Sequence, residues 1–423
     1  MRFYYGWTIV GISMVSLAFW YGTRGAFSVF YVTLLDEFQW SRADAAGVQS
    51  AVLIVYMVMA PVIGGLIDRF GPRRVIVPGI LLLALGLFLS ARLENLTQFY
   101  VFYGLMAASG AACIGVVAYS AILAHWFEKR RGTASGIAVS GMGLGTFFLV
   151  LLSQYVITAW GWRWAFACLG GFVLVMLFPV NLFLLRHRPQ DLGLSADGGG
   201  VTTTAGQGRW EVMDREWCQT SWTLRRAVGQ GRFWALLAFP FFVIVGLYIV
   251  TVHHVRFLVD MGMEKTAAAY VMAVLGLVSS AFRVFWGWLS DRIGREITYT
   301  LGAAGMCVGI CSLLLLESTG ERAFVYPFVF FFGMGWGVTA PMFMAAAADL
   351  FQGRSFGLIY GVVEGVIGTG AALGTWLAGY WFDQVHTYQG AFGLACATTI
   401  VSCGFVWLAA PRKVRRVSLA QLS

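Results

Sequence analysis

Apolar runs, most of them close to the ~20 residues an α-helix needs to cross a bilayer, alternate along the chain with short clusters of charged, glycine and proline residues. Val75–Leu89, Phe172–Leu185 and Phe233–Val252 carry no acidic or basic side chain at all. Cutting the sequence at the polar clusters predicts twelve helices, over 5–35, 45–67, 75–91, 97–126, 132–158, 163–185, 233–259, 266–289, 298–316, 323–348, 355–382 and 389–409. A closed barrel would instead alternate apolar and polar residues in strands of about ten, and that alternation is absent. The pattern therefore predicts an all-α integral membrane protein with twelve transmembrane helices.

The longest polar stretch, Arg186–Arg232, divides six spans from six. It contains DGGGVTTTAGQG at Asp197–Gly208, a composition suited to a flexible linker. The expected organisation is an N-terminal six-helix bundle over 1–186, a linker over 187–231, a C-terminal six-helix bundle over 232–410 and a basic tail over 411–423. The opening apolar run continues well beyond a signal-peptide core and reads as a retained first span.

Composition agrees: 59% of the residues are hydrophobic, 12% are charged and the mean hydropathy is +0.75. Basic residues orient the chain. With the N-terminus inside, 21 of the 29 lysines and arginines lie in inside segments, from Arg2 to the tail, against six outside: Arg42, Arg92, Arg163, Arg256, Lys265 and Arg322. The positive-inside rule then predicts both termini in the cytoplasm, in a multi-pass protein of the cytoplasmic (inner) membrane. The same cations account for the net charge of +9 without any nucleic-acid partner.

Several chemistries find no support. The seven cysteines are an odd count, lie mostly in apolar runs and follow no disulfide or metal spacing. No G-x-x-x-x-G-K-[ST] loop is present to hold ATP. An integral-membrane enzyme or sensor would need a His/Asp/Ser or metal constellation, or an output domain, and the sequence supplies neither. No cofactor, resident metal or obligate protein partner is expected.

The two halves repeat. G64-x-L66-x-D68-R69-x-G71 follows the second span and G287-x-L289-x-D291-R292-x-G294 follows the eighth, with Asp68 and Asp291 223 residues apart. Phe127 and Arg130 before the fifth span match Phe351 and Arg354 before the eleventh. Such a pair of related bundles is the build of many secondary carriers. Through this repeated charged turn the chain resembles the major facilitator superfamily. Within it the chain is similar to the bacterial monocarboxylate and oxalate/formate transporter branch, through Tyr5–Trp7, EFQWSRA at Glu37–Ala43, DRFGPR at Asp68–Arg73, WFEKRRGTASGIAVSG at Trp126–Gly141 and GWRWAF at Gly161–Phe166.

Turn chemistry and resemblance together suggest a latch. Gly71 and Gly294 supply positive φ, and Asp68 can accept from arginines or from a helix N-terminus. The resemblance implies that Gly64, Asp68, Arg69, Gly71, Arg73 and Arg130, with Asp291, Arg292 and Gly294, bolt the bundles together on the cytoplasmic side. The alternative is that the arginines only set topology.

Two cations, Arg24 and Arg283, remain inside predicted spans, where an ion costs ~2.5–3.5 kcal/mol and signals function by default. Arg283 lies eight residues before Asp291, roughly 12 Å along the helix, near the midplane. The resemblance implies that this arginine pairs with the substrate carboxylate, which its guanidinium fork fits; the alternative is neutralisation by a protein carboxylate such as Glu364. For Arg24 the resemblance implies a cation that draws anions to the outer mouth; the alternative is a snorkelling side chain. Glu364 on the eleventh span is a proton-coupling candidate or a counter-ion, and His253 on the seventh is a second titratable group, with a structural role as its alternative. Tyr119, Tyr248, Trp336 and Tyr360 are candidate cavity walls, Tyr119 by resemblance, with packing as the alternative for the rest. The chain departs from its relatives in two ways: the oxalate/formate type implies a second cation on the eleventh span, where this chain has Glu364, and the eukaryotic type an acid where this chain has Ser279.

The reading is a secondary transporter that moves a small monocarboxylate-like organic anion by alternating access, coupled to protons. A carrier of a neutral or larger solute, with Arg283 in a structural ion pair, is the alternative.

Overall fold

The computed structural model describes residues 4–198 and 210–417. Arg2, Arg209, nearly all of the Asp197–Gly208 stretch and the end of the basic tail lie outside the described residues, as do the side chains of Arg42 and Lys265. Twelve long helices carry the fold: α1 (Gly6–Phe38), α2 (Arg42–Phe70), α3 (Pro72–Ser90), α4 (Leu96–Trp126), α5 (Arg131–Trp160), α6 (Trp162–Leu184), α7 (Gly231–Asp260), α8 (Lys265–Ile293), α9 (Arg295–Thr319), α10 (Arg322–Phe351), α11 (Phe356–Val385) and α12 (Gln389–Ala409). Among the described residues eleven segments, all on helices α2 to α12, are long and apolar enough to cross a membrane. The 33-residue α1 completes the twelve; Trp20 to Arg24 lower its apolar content. Large apolar side chains such as Val58, Phe148 and Leu408 are exposed, as expected where lipid is the solvent. The chain is an all-α, multi-pass membrane protein.

Most helices run beyond the apolar runs by a few residues, because polar residues form their last turns. Ser41 caps α2 by accepting from the Asp44 amide at 3.1 Å, and Asn95 caps α4 by accepting from Gln98 at 2.9 Å. The α2–α3 and α8–α9 connections are single glycines, Gly71 at φ +83° and Gly294 at φ +95°, conformations a Cβ would strain. Asp68 and Asp291 consequently sit on the final helical turns, not in the loops where the apolar pattern ended.

The chain forms two compact units. One comprises α1 to α4, α5 from Ile137, α6, and Ser355–Gly365 at the start of α11; the other comprises Lys129–Gly136, α7 to α10, α11 from Val366, and α12. In the first, α3 packs on α4 and α6; in the second, α7 packs on α12, and α10 on α8 and α9. The described part of the linker is folded. Trp210–Val212 pairs antiparallel with Arg415–Val417, and the Trp217 and Trp222 rings pack tilted and edge-on against Phe351, the Trp217 indole donating to the Leu350 carbonyl at 2.6 Å. Two tryptophans thus anchor a stretch that its polarity alone made a flexible connector.

Candidate substrate and coupling site

Each repeated aspartate caps a helix from the other half of the sequence. Within the first unit, Asp68 accepts from the amides of Gly357 (2.9 Å) and Leu358 (2.8 Å), in the first turn of α11. Within the second, Asp291 accepts from Gly132 (2.9 Å) and Thr133 (2.7 Å), in the first turn of α5, and from the Thr133 hydroxyl. A carboxylate there satisfies orphan amides and meets the positive end of the helix dipole. Paired glycines permit the approach: a Cβ on Gly64 would strike the Gly357 carbonyl, and one on Gly287 the Gly132 carbonyl.

The arginines divide by role. Arg69 and Arg130 are exposed, Arg292 lies over the Trp288 ring at 3.7 Å, and Arg73 donates to the Leu185 carbonyl at 2.8 Å, tying α3 to the end of α6. The arginines of the buried ion pairs, Arg131 and Arg295, are counted in the sequence only among the inside cations. Asp349, 4% exposed, holds both Arg131 (2.7 Å) and Arg295 (2.9 Å), and Arg295 also binds Asp291 at 2.7 Å. Gln352 completes the set by accepting from Arg131. Arg295 stands four residues after Asp291 but across the Gly294 turn, at the start of α9, so helical spacing alone gives no reason to pair them.

A second cluster lies inside the first unit. Arg24 on α1 faces the rings of Trp20, Tyr21 and Tyr56 at 5.5, 5.7 and 5.7 Å, within cation–π range. The Tyr56 hydroxyl donates to Glu364 Oε2 at 3.2 Å, Tyr360 hydrogen-bonds the same carboxyl, and Arg24 acts on it electrostatically. Glu364 is 7% exposed and Tyr360 1%. Gly115, at a break in α4, leaves room for the edges of Tyr56 and Trp20. The structure thus groups Arg24 with Glu364 and adds Tyr56, a residue with no mark in the sequence beyond its place in a span. A buried carboxyl held by two phenols beside a guanidinium can take up or release a proton without leaving an isolated charge.

In the second unit Arg283 is 7% exposed on α8. Two glycines admit neighbouring helices to its backbone: Cβ atoms on Gly136 of α5 and Gly337 of α10 would meet the Arg283 carbonyl and amide respectively. Tyr248 and Trp336 are half-buried on α7 and α10.

Two further candidates make hydrogen bonds between helices. Tyr119 has no exposed surface, and its hydroxyl donates to Asn181 Oδ1 at 2.8 Å while the Asn181 amide donates to Ser16 and to the Leu177 carbonyl. In this conformation it binds α4 to α6 and α1 rather than lining a cavity. His253 Nε2 donates to the Thr375 carbonyl at 3.1 Å, tying α7 to α11.

Comparison with known proteins fits this architecture. The family profile described as Major Facilitator Superfamily matches residues 12–363. Monocarboxylate transporter 13 of Rattus norvegicus is 26% identical over 402 residues, covering 95% of this chain and 88% of that protein. Monocarboxylate transporter 11 of Mus musculus is 28% identical over 432 residues, covering 96% and 88%. The solved structure of the proton:xylose symporter XylE bound to 6-bromo-6-deoxy-D-glucose superposes with a TM-score of 0.75 at 15% identity, covering 96% of this chain and 95% of that one, a likeness of fold. With its twelve helices, its repeated aspartate-capped turn and these relatives, the chain belongs to the Major Facilitator Superfamily, is a transporter rather than an enzyme, and falls on the monocarboxylate-transporter-like branch.

Proposed function

We propose that this protein is a proton-coupled secondary carrier of a small monocarboxylate-like organic anion, working by alternating access between six-helix bundles over 1–186 and 232–410. The observation that carries the reading is Arg283, a permanent cation buried in the middle of α8. The repeat sharpens it. At the equivalent crossing in the first unit, Gly361 of α11 meets the carbonyl of Ala60, so the scaffold needs no charge at that position. A guanidinium kept in only one of two equivalent places is a candidate to hold a ligand, and a carboxylate fits its fork. The names of the similar relatives support the same cargo.

Glu364, with Tyr56 and Tyr360, is the proton site, and Arg24 answers its charge while drawing the anion. Tyr248 and Trp336 are the wall residues. The excess of basic residues in one set of loops supports cytoplasmic termini in an inner membrane, with the Asp68 and Asp291 caps at the cytoplasmic ends. Asp68 and Asp291 then act as latches that release in turn as the carrier alternates.

The test is counterflow of labelled short-chain monocarboxylates into proteoliposomes. Arg283→Gln is expected to lower uptake at least tenfold, and Arg283→Lys to retain part of it through the remaining charge. Carboxylate uptake with unchanged kinetics in Arg283→Gln would sink the assignment and leave a carrier of neutral solutes.

A further inference from the structure

At the start of α3 two cavities meet. One, of about 690 Å³, opens among the first residues of α3 and the chain just after α6, and its lining holds Arg73, Arg74, Arg186 and His187 with a single acid, Asp191. The other, of about 440 Å³, is an apolar groove along Leu66, Val75, Pro78, Leu82 and Cys113. Phe70 and Arg74 line both, so the basic pocket continues into the apolar groove.

Each part has a built reason. Arg73 donates its guanidinium to the Leu185 carbonyl, joining two lining residues of the pocket, while Arg74 is exposed and Arg186 half-buried. The N-terminus of α3 carries no side-chain cap, so its amides and dipole add to the positive field. Asp191 is engaged locally, accepting from the Arg188 amide at 3.1 Å. His187 adds a hydrogen-bonding ring without charge, because burial, with His125 and Arg188 nearby, pushes it down to about 4. Gly79 lets α3 approach Cys113 of α4, and the groove follows α3 from Arg74 to Leu82, roughly 12 Å of helix.

We infer that this composite cavity binds one anionic phospholipid, its phosphate among Arg74, Arg186 and His187 and one acyl chain in the groove beside Leu82. A soluble phosphorylated anion would use the pocket and leave the groove without purpose; a zwitterionic lipid would fill the groove but neutralise its own phosphate. The join of a basic pocket to an apolar channel selects the lipid that has both a net negative headgroup and a chain.

The purified full-length chain in detergent, titrated with lipid and read by native mass spectrometry and thermal shift, tests this. One phosphatidylglycerol is expected to stay bound at least tenfold more tightly than phosphatidylcholine of the same chains. Removing two cations in the Arg74→Gln/Arg186→Gln variant should weaken it about thirty-fold, and Leu82→Trp should weaken it by filling the groove. Arg225→Gln/Arg226→Gln, a charge-matched control in the linker, should leave binding unchanged. Equal retention of phosphatidylcholine overturns the proposal, as does protection by glycerol 3-phosphate as good as by phosphatidylglycerol. So does an unaffected Leu82→Trp variant, or a control pair that loses as much as the pocket pair. The lipid comparison on the unaltered chain keeps the test decisive if a variant fails to fold.

Discussion

At the scale of single residues the weight falls on carboxylates that are fully committed. Asp349 neutralises two guanidiniums that have almost no access to solvent, so its loss leaves buried charge uncompensated, a defect that costs about 3–5 kcal/mol. Asp68 is half-buried and only caps a helix, a role worth about 0.5–2 kcal/mol. Asp349→Ala should therefore lower the unfolding temperature in detergent clearly more than Asp68→Ala; equal shifts would mean the ion-pair network carries no special share of stability. The two aspartates also differ in legibility. Asp68 announced itself by recurring at Asp291, whereas Asp349 stands at the end of an apolar run with no partner nearby in sequence, and only folding brings Arg131 and Arg295 to it.

At the scale of helices the governing feature is the crossing of α5 with α8 and of α11 with α2, each made through glycine. Space at these positions is exhausted: a methyl on Gly132 would meet Ser290 and the Gly287 carbonyl, whereas one on Gly276 meets nothing within 4 Å. Overpacking of this kind costs about 1–3 kcal/mol, and a substitution into open space stays within about 1 kcal/mol. Gly132→Ala is thus expected to reduce both thermal stability and transport, and Gly276→Ala to change neither; a silent Gly132→Ala, measured in the same vesicles, would show that the crossing has slack. The twelve helices were legible in the sequence because length and apolarity are direct demands of the bilayer. Their last turns were not, because a charged residue is a poor marker of a helix end when another helix waits for it: α8 was expected to stop at 289 and continues to Ile293, carrying Asp291 to the α5 amides. The folded linker was hidden for a related reason, since tryptophans in a polar stretch reveal nothing of the surface they dock on.

At the scale of the whole molecule, coupling requires that a proton and an anion alter the same equilibrium, and a ligand moves an equilibrium only by its differential affinity for the two states. The Arg24–Tyr56–Glu364–Tyr360 cluster joins α1, α2 and α11 through one carboxyl. In the proposed cycle a charged Glu364 attracts Arg24, and protonation of Glu364 would remove that attraction and free Arg24 for an anionic cargo. Proton and anion would then bind cooperatively, by the reciprocity that links any two coupled ligands. Glu364→Gln fixes the neutral form. It is expected to leave exchange of labelled for unlabelled carboxylate within about threefold of the parent chain, because the cargo site stays intact, while an imposed pH gradient no longer drives accumulation. Accumulation ratios in proteoliposomes with an acidic exterior separate the outcomes. A variant that still concentrates carboxylate as the unaltered protein does would move the proton site elsewhere and leave Glu364 as the counter-ion of Arg24.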